Sequence, residues 1–101
     1  MNWYDVCKLT EVPEMGARTV RADGVEIGLF RLSSGQVLAV ENRCPHQEGP
    51  LTEGIVSGEI VICPLHNWKI DLKDGKVLPP DSGCVKTYSV KVRNEKVWIE
   101  L

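Results

Sequence analysis

The stretch YSVKVRNEKVWIEL, residues 88–101, decides the fold class. Tyr88, Val90 and Val92 alternate with Ser89, Lys91 and Arg93, while Val97, Ile99 and Leu101 alternate with Trp98 and Glu100. A side-chain period of two belongs to a strand with one face on a core and the other in water. Asn94-Glu95 between the two runs predicts a short hairpin connection. VEIGLFRL (25–32) and QVLAV (36–40) form a second pair, joined through Ser33, Ser34 and Gly35. Asp23-Gly24, Ser57-Gly58 and Asp74-Gly75 are further turn signals. No window carries a convincing amphipathic helix; residues 11–17 leave room for one short turn, which Pro13 and Gly16 limit. The expected fold is all-β, an antiparallel sandwich or partly open barrel, with 101 residues forming one domain.

Composition narrows the function. Hydrophobic residues make up 43% of the chain, enough for a modest core. Twelve Lys and Arg against 14 Asp and Glu leave a net charge of -2, so no basic stripe offers a site for nucleic acid. Glu48, Glu53 and Glu59 lie together in mid-chain; Lys69, Lys73, Lys76, Lys86, Lys91, Arg93 and Lys96 follow them. Such runs read first as solvated surface. No apolar run approaches the roughly 18 residues of a membrane helix, so no membrane partner is expected. The opening MNWYDVCKLTEV has no basic segment followed by an apolar one, so the expected location is the cytoplasm or an equivalent reducing compartment. Four cysteines in that setting are ligands or reduced thiols before they are disulfides.

Residues 43–68 lose the strand pattern, apart from EIVI at 59–62. A long irregular stretch in a small domain is usually functional or disordered, and this one carries both histidines of the chain. RCPHQEGPL holds Cys44 and His46 as C-x-H; CPLHNW holds Cys63 and His66 as C-x-x-H. Sixteen residues separate His46 from Cys63. Pro45 and Pro64 directly follow the two cysteines and stiffen each loop. Three readings fit: incidental loop residues, a single zinc, or a two-iron cluster. Zinc sites tend to pair cysteines in one knuckle and histidines in the next, whereas here each loop supplies one of each. That distribution favours Cys44 and Cys63 on one iron and His46 and His66 on the other of a 2Fe-2S cluster, which is Rieske ligation.

With those residues the chain resembles the Rieske ferredoxin family from Trp3 to the last strand. The implied fold is a Rieske-type β-sandwich or barrel with a cluster-binding subdomain of two loops at about 43–71. More narrowly, CPHQEGPL (44–51), CPLHNWKIDLKDGKV (63–77) and PPDSGCVKTY (79–88) resemble the small subunit of assimilatory NAD(P)H-dependent nitrite reductase. That resemblance implies an electron-transfer subunit, inactive alone, beside a large subunit that carries siroheme and flavin and reduces nitrite to ammonium in nitrate assimilation. The alternative is a freestanding Rieske ferredoxin delivering electrons to an oxygenase. A third reading is a cluster-free or zinc-bound interaction module. The chain itself has no G-x-G-x-x-G, no P-loop and no acid-base pair, so no catalytic residue is assigned.

Within the family, high-potential members carry an extra cysteine in each loop. They also place a serine two residues after the second-loop histidine and a tyrosine two residues further on. Here Trp68 and Ile70 hold those positions and neither loop has a second cysteine. Fewer donors toward sulfur imply a potential near the bottom of the family range of about -150 to +300 mV. Trp68 is expected either to cover the cluster edge or to face a partner. Asp71 is expected to end the ligand hairpin by accepting backbone amides. Glu48 and Glu53 are candidates for orienting that partner. Cys7, in the first strand, and Cys84 are expected to be small buried hydrophobes.

Overall fold

The computed structural model describes residues 2–45, 49–64 and 67–101. Among these, ten strands form three antiparallel sheets. The first sheet joins β1 (Trp3–Lys8), β10 (Lys96–Glu100) and β9 (Val90–Arg93) in that order. The second runs β2 (Ala17–Ala22), β3 (Val25–Arg31), β4 (Val37–Glu41) and β8 (Thr87–Tyr88). The third is small: β5 (Ile55–Ser57), β6 (Ile60–Ile62) and β7 (Lys69–Asp71). The all-β expectation therefore holds.

The two hairpins read from the sequence are present. Asn94 and Glu95 both take positive φ, 54° and 63°, the twist a two-residue connection needs between β9 and β10. Between β3 and β4, Leu32 N–H donates to the Gln36 carbonyl at 2.9 Å across the Ser33–Gly35 turn. Three local details differ from the sequence reading. The helical turn is a 3-10 turn at Leu9–Glu11, just before Pro13, rather than within 11–17. The run from Tyr88 to Arg93 breaks at Ser89: Tyr88 pairs with Ala39 in the second sheet, and Val90 pairs with Ile99 in the first. Residues 55–57, read as irregular, form β5 against β6, because Gly58 at φ 60° closes the turn between them.

The second sheet is buried on both faces, and this organises the rest. In β3, Ile27 and Leu29 point into a core shared with the first sheet, together with Val20, Val37, Ala39, Val97 and Ile99. Phe30 points the other way, into a core with Val40, Val61, Ile70 and Leu72. The strand is accordingly buried from Ile27 through Phe30 without alternation, the pattern of a strand covered on both sides. Most of the Lys and Arg run is exposed as expected. Lys91 is the exception: its Nζ lies 4.4 Å from the Trp3 ring centre and 5.8 Å from that of Trp98. Phe30→Ala is expected to cost about 3–5 kcal/mol through the cavity it leaves, whereas Ile55→Thr at an exposed edge should stay within about 0.5 kcal/mol. Urea unfolding followed by far-ultraviolet circular dichroism separates the two.

Candidate metal centre

The structure brings the two cysteine motifs to one end of the second core. Cys44 and Cys63 are 1% and 0% exposed and belong to the same apolar cluster as Phe30, Leu51, Val61 and Ile70. His46 and His66 lie outside the described residues, as do Gln47, Glu48 and Leu65. The first motif follows β4, where Cys44 N–H donates to the Gly49 carbonyl at 2.8 Å and narrows the loop. Leu51 then turns into the core in a 3-10 turn, Leu51–Glu53.

The second motif is the tip of the β6–β7 hairpin. Cys63 N–H donates to the Trp68 carbonyl at 2.7 Å, and Asn67 N–H donates to the Cys63 carbonyl at 3.1 Å. Asn67 closes this turn with φ 56°, a region that asparagine tolerates better than most residues. Val61 and Ile70 pair across the hairpin and are both fully buried, so the tip is carried by a rigid, core-facing ladder. Asp71 ends β7 as expected: its carboxylate accepts Lys73 N–H at 2.8 Å. Trp68 is half-buried and packs against the core that contains both cysteines, which favours the covering role over an exposed one.

Two contacts holding this end together were not read from the sequence. A methyl group on Gly54 would run into the Ile62 carbonyl, so only glycine lets the first segment pass this close to the strand leading into Cys63. The φ at Gly54 is an ordinary -79°, so the requirement is for room. Gly83 brings a third segment to the site: a methyl there would stand 3.4 Å from Pro45 Cβ and 3.5 Å from Val77 Cγ2. Either glycine looks like a loop residue in sequence, because the atoms it approaches belong to other segments of the chain.

The remaining cysteines divide. Cys7 is buried in the core between the first and second sheets, and burial pushes its thiol above its ordinary pKa. Cys84 is exposed, against expectation. It bridges Lys76 at the surface while the next residue, Val85, takes the inward position. No disulfide joins Cys7 to Cys84. Glu53 is exposed beside the site, and Glu48 lies outside the described residues.

The model of the Rieske-like 2Fe-2S domain matches residues 2–100. The chain belongs to this family. It is 34% identical over 101 residues to the ferredoxin component of the naphthalene 1,2-dioxygenase/salicylate 5-hydroxylase systems of Ralstonia sp, covering 99% of this chain and 96% of that one. Among solved structures, the Sphingomonas yanoikuyae B1 ferredoxin superposes with a TM-score of 0.88 at 25% identity, covering 99% of each chain. A Mycobacterium tuberculosis chain described as an NADH-dependent nitrite reductase small subunit superposes with a TM-score of 0.89 at 26% identity, over 97% of this chain and 93% of that one. The protein is thus a Rieske electron-transfer domain, and its family implies a Rieske-type 2Fe-2S cluster. The donor chemistry fits that group. Two cysteines withdrawn from water in one core suit iron better than the exposed Cys84 does. Among the described residues no helix is long and apolar enough to cross a membrane.

Ile70 bears on the potential. Its side chain is carbon only and fully buried against the core that holds both cysteines, at the position where high-potential members carry a hydroxyl donor. The midpoint potential is expected below 0 mV, in the lower part of the range of about -150 to +300 mV. Protein-film voltammetry of the cluster-loaded protein measures it, and a value well above zero contradicts the assignment.

Proposed function

We propose that this chain is a freestanding Rieske ferredoxin that carries electrons to an oxygenase. The observation that carries the reading is its likeness, over nearly the full length of both chains, to ferredoxin components of dioxygenase systems. In this reading Cys44 and Cys63 hold one iron and His46 and His66 the other. The cluster supplies one-electron transfer at the protein surface. The protein part has three tasks: to present four ligands without strain, to keep water from the sulfurs, and to offer the loop end to a partner. Residues 1–101 act as one domain, with the cluster carried by about 43–71, in the cytoplasm, and the chain alone catalyses nothing.

A second reading has its own support. The resemblance of residues 63–77 and 79–88 to nitrite reductase small subunits agrees with the structural likeness to such a chain. There the partner is a large subunit with siroheme and flavin, and the overall reaction reduces nitrite to ammonium. The sequence relatives favour the oxygenase reading, because full-length identities of 31–34% go with ferredoxin components.

Affinity capture from the native host, followed by absorption spectra of the captured protein, separates the two. A non-haem iron oxygenase or its reductase is the expected partner; a siroheme protein would transfer the assignment to nitrite reductase. Cys44→Ala, His46→Ala, Cys63→Ala and His66→Ala are each expected to abolish the visible chromophore and the low-g-average paramagnetic resonance signal of mixed His/Cys ligation. Retention of that signal in any one of the four removes that residue from the ligand set.

A further inference from the structure

The first cysteine loop leaves the second sheet beside a polar group that a core of this kind would ordinarily exclude. Asn42 directly follows β4 and is 6% exposed; it is the buried polar residue among the described residues. Its Oδ1 accepts Thr52 N–H at 2.9 Å. Its Nδ2 donates to Glu26 Oε2 at 2.9 Å and to Thr19 Oγ1 at 3.2 Å. The Thr19 and Thr52 hydroxyls are themselves 2.9 Å apart. Asn42 N–H also donates to the Glu26 carbonyl at 3.2 Å. One side chain therefore ties β2, β3 and the end of β4 to the 3-10 turn that follows the loop.

The position of this group matters more than its bond count. Asn42 stands two residues before Cys44, and Thr52 stands eight after it. The amide thus closes the loop at its neck, outside the narrower closure made by Cys44 N–H on the Gly49 carbonyl. Gly28 leaves the space: a methyl there would lie 3.0 Å from Thr52 Cγ2 and 3.3 Å from Asn42 Oδ1. An apolar residue at 42 would fill the volume but leave the part-buried Thr52 N–H without this acceptor, at a cost in stability.

We infer that Asn42 is a positioning residue for the iron centre, fixing the depth and direction of the Cys44 sulfur by clamping both ends of its loop to the second sheet. The inference rests on the proposed ligand role of Cys44. Asn42 does not touch the cluster; it acts through the loop. Glu26 holds the clamp from β3, and its other carboxylate oxygen is engaged by Arg21 Nη2 at 3.2 Å, which keeps Oε2 turned toward Asn42.

The test uses the cluster-loaded protein. Asn42→Asp keeps the shape and the acceptor for Thr52 but removes the Nδ2 donor and sets a second carboxylate against Glu26. Cluster release into a ferrous-iron chelator, followed in the visible, is expected to be about tenfold faster, the order of effect of one buried hydrogen bond lost. The visible circular dichroism of the bound cluster is expected to change shape, which loss of global stability alone would not produce. Asn42→Asp combined with Glu26→Gln reverses donor and acceptor, and is expected to return both readouts to within about twofold of wild type. Thr19→Val removes the hydroxyl that accepts from Asn42 and pairs with Thr52, leaves the Asn42–Glu26 and Asn42–Thr52 N–H bonds in place, and so offers a milder variant, with release about threefold faster. Wild-type release and an unchanged spectrum in Asn42→Asp, or in Thr19→Val if the first does not fold, overturn the inference. A double variant no better than Asn42→Asp does the same. Cys44→Ala, run in parallel, separates the two ideas. If it keeps the chromophore, the ligand reading falls and the inference with it. If it loses the chromophore while the Asn42 variants behave as wild type, only the inference falls.

Discussion

The constraint on which the structure depends is the burial of one sheet on both faces. Ile27 and Leu29 on one side of β3, and Phe30 on the other, commit the chain to two separate cores. The first sheet covers one face and closes it with Val97 and Ile99. The other face must also be covered, and the chain after β4 does this with short elements: the 3-10 turn with Leu51, then β5, β6 and β7. Those elements are too short to fold as a sheet by themselves. They are held because Val61, Ile70 and Leu72 complete a core that the second sheet opens. The cysteines sit at the end of that core, so the same apolar burial that stabilises the small sheet withdraws their sulfurs from water.

The placement of the two cysteines follows from how the chain on either side of each is anchored. At the second motif β6 and β7 pair in register, and two backbone hydrogen bonds tie Cys63 to Asn67 and Trp68. The first motif joins two different sheets and has no ladder of its own. Its described residues are anchored by three features: the Asn42 amide at the neck, Leu51 in the core, and Pro45 near Gly83 of the third segment. The two loops thus reach comparable burial at their cysteines by different physical means, one by strand pairing and the other by side-chain clamping.

The fold was legible wherever period two was strong and a turn had its own chemistry. Residues 88–101 and 25–40 carried both, and the hairpins at Asn94-Glu95 and Ser33–Gly35 are where that pattern put them. β5 was not legible, because three residues are too few to establish a period and its neighbours are glycine and serine. The break at Ser89 was hidden for the opposite reason: alternation continues across it, and only the long-range partners, Ala39 and Ile99, reveal two sheets. At the site, cysteine and histidine spacing pointed to the family whose model matches residues 2–100, because ligands of a metal must be of particular types. Asn42, Gly54 and Gly83 were silent, since each works by approaching a different segment that only the folded chain brings near. Cys84 was misjudged as buried because a lone cysteine carries no directional signal, and the inward place fell to Val85.

Ile70 shows how far folding and electron chemistry share residues here. It pairs with Val61 on one side and bridges Val77 on the other, with no exposed surface. A hydroxyl at this position would bring a donor toward sulfur and raise the potential. It would also bring a polar atom into the interior of a small sheet, where it must find a partner or cost stability. Here carbon fills the place, and β7 gains a fully apolar contact with β6. The low potential expected of this protein is therefore tied to the packing that holds the second loop. Raising it by substitution at residue 70 would require the core around Val61, Leu72 and Val77 to be rebuilt to admit a larger, polar side chain.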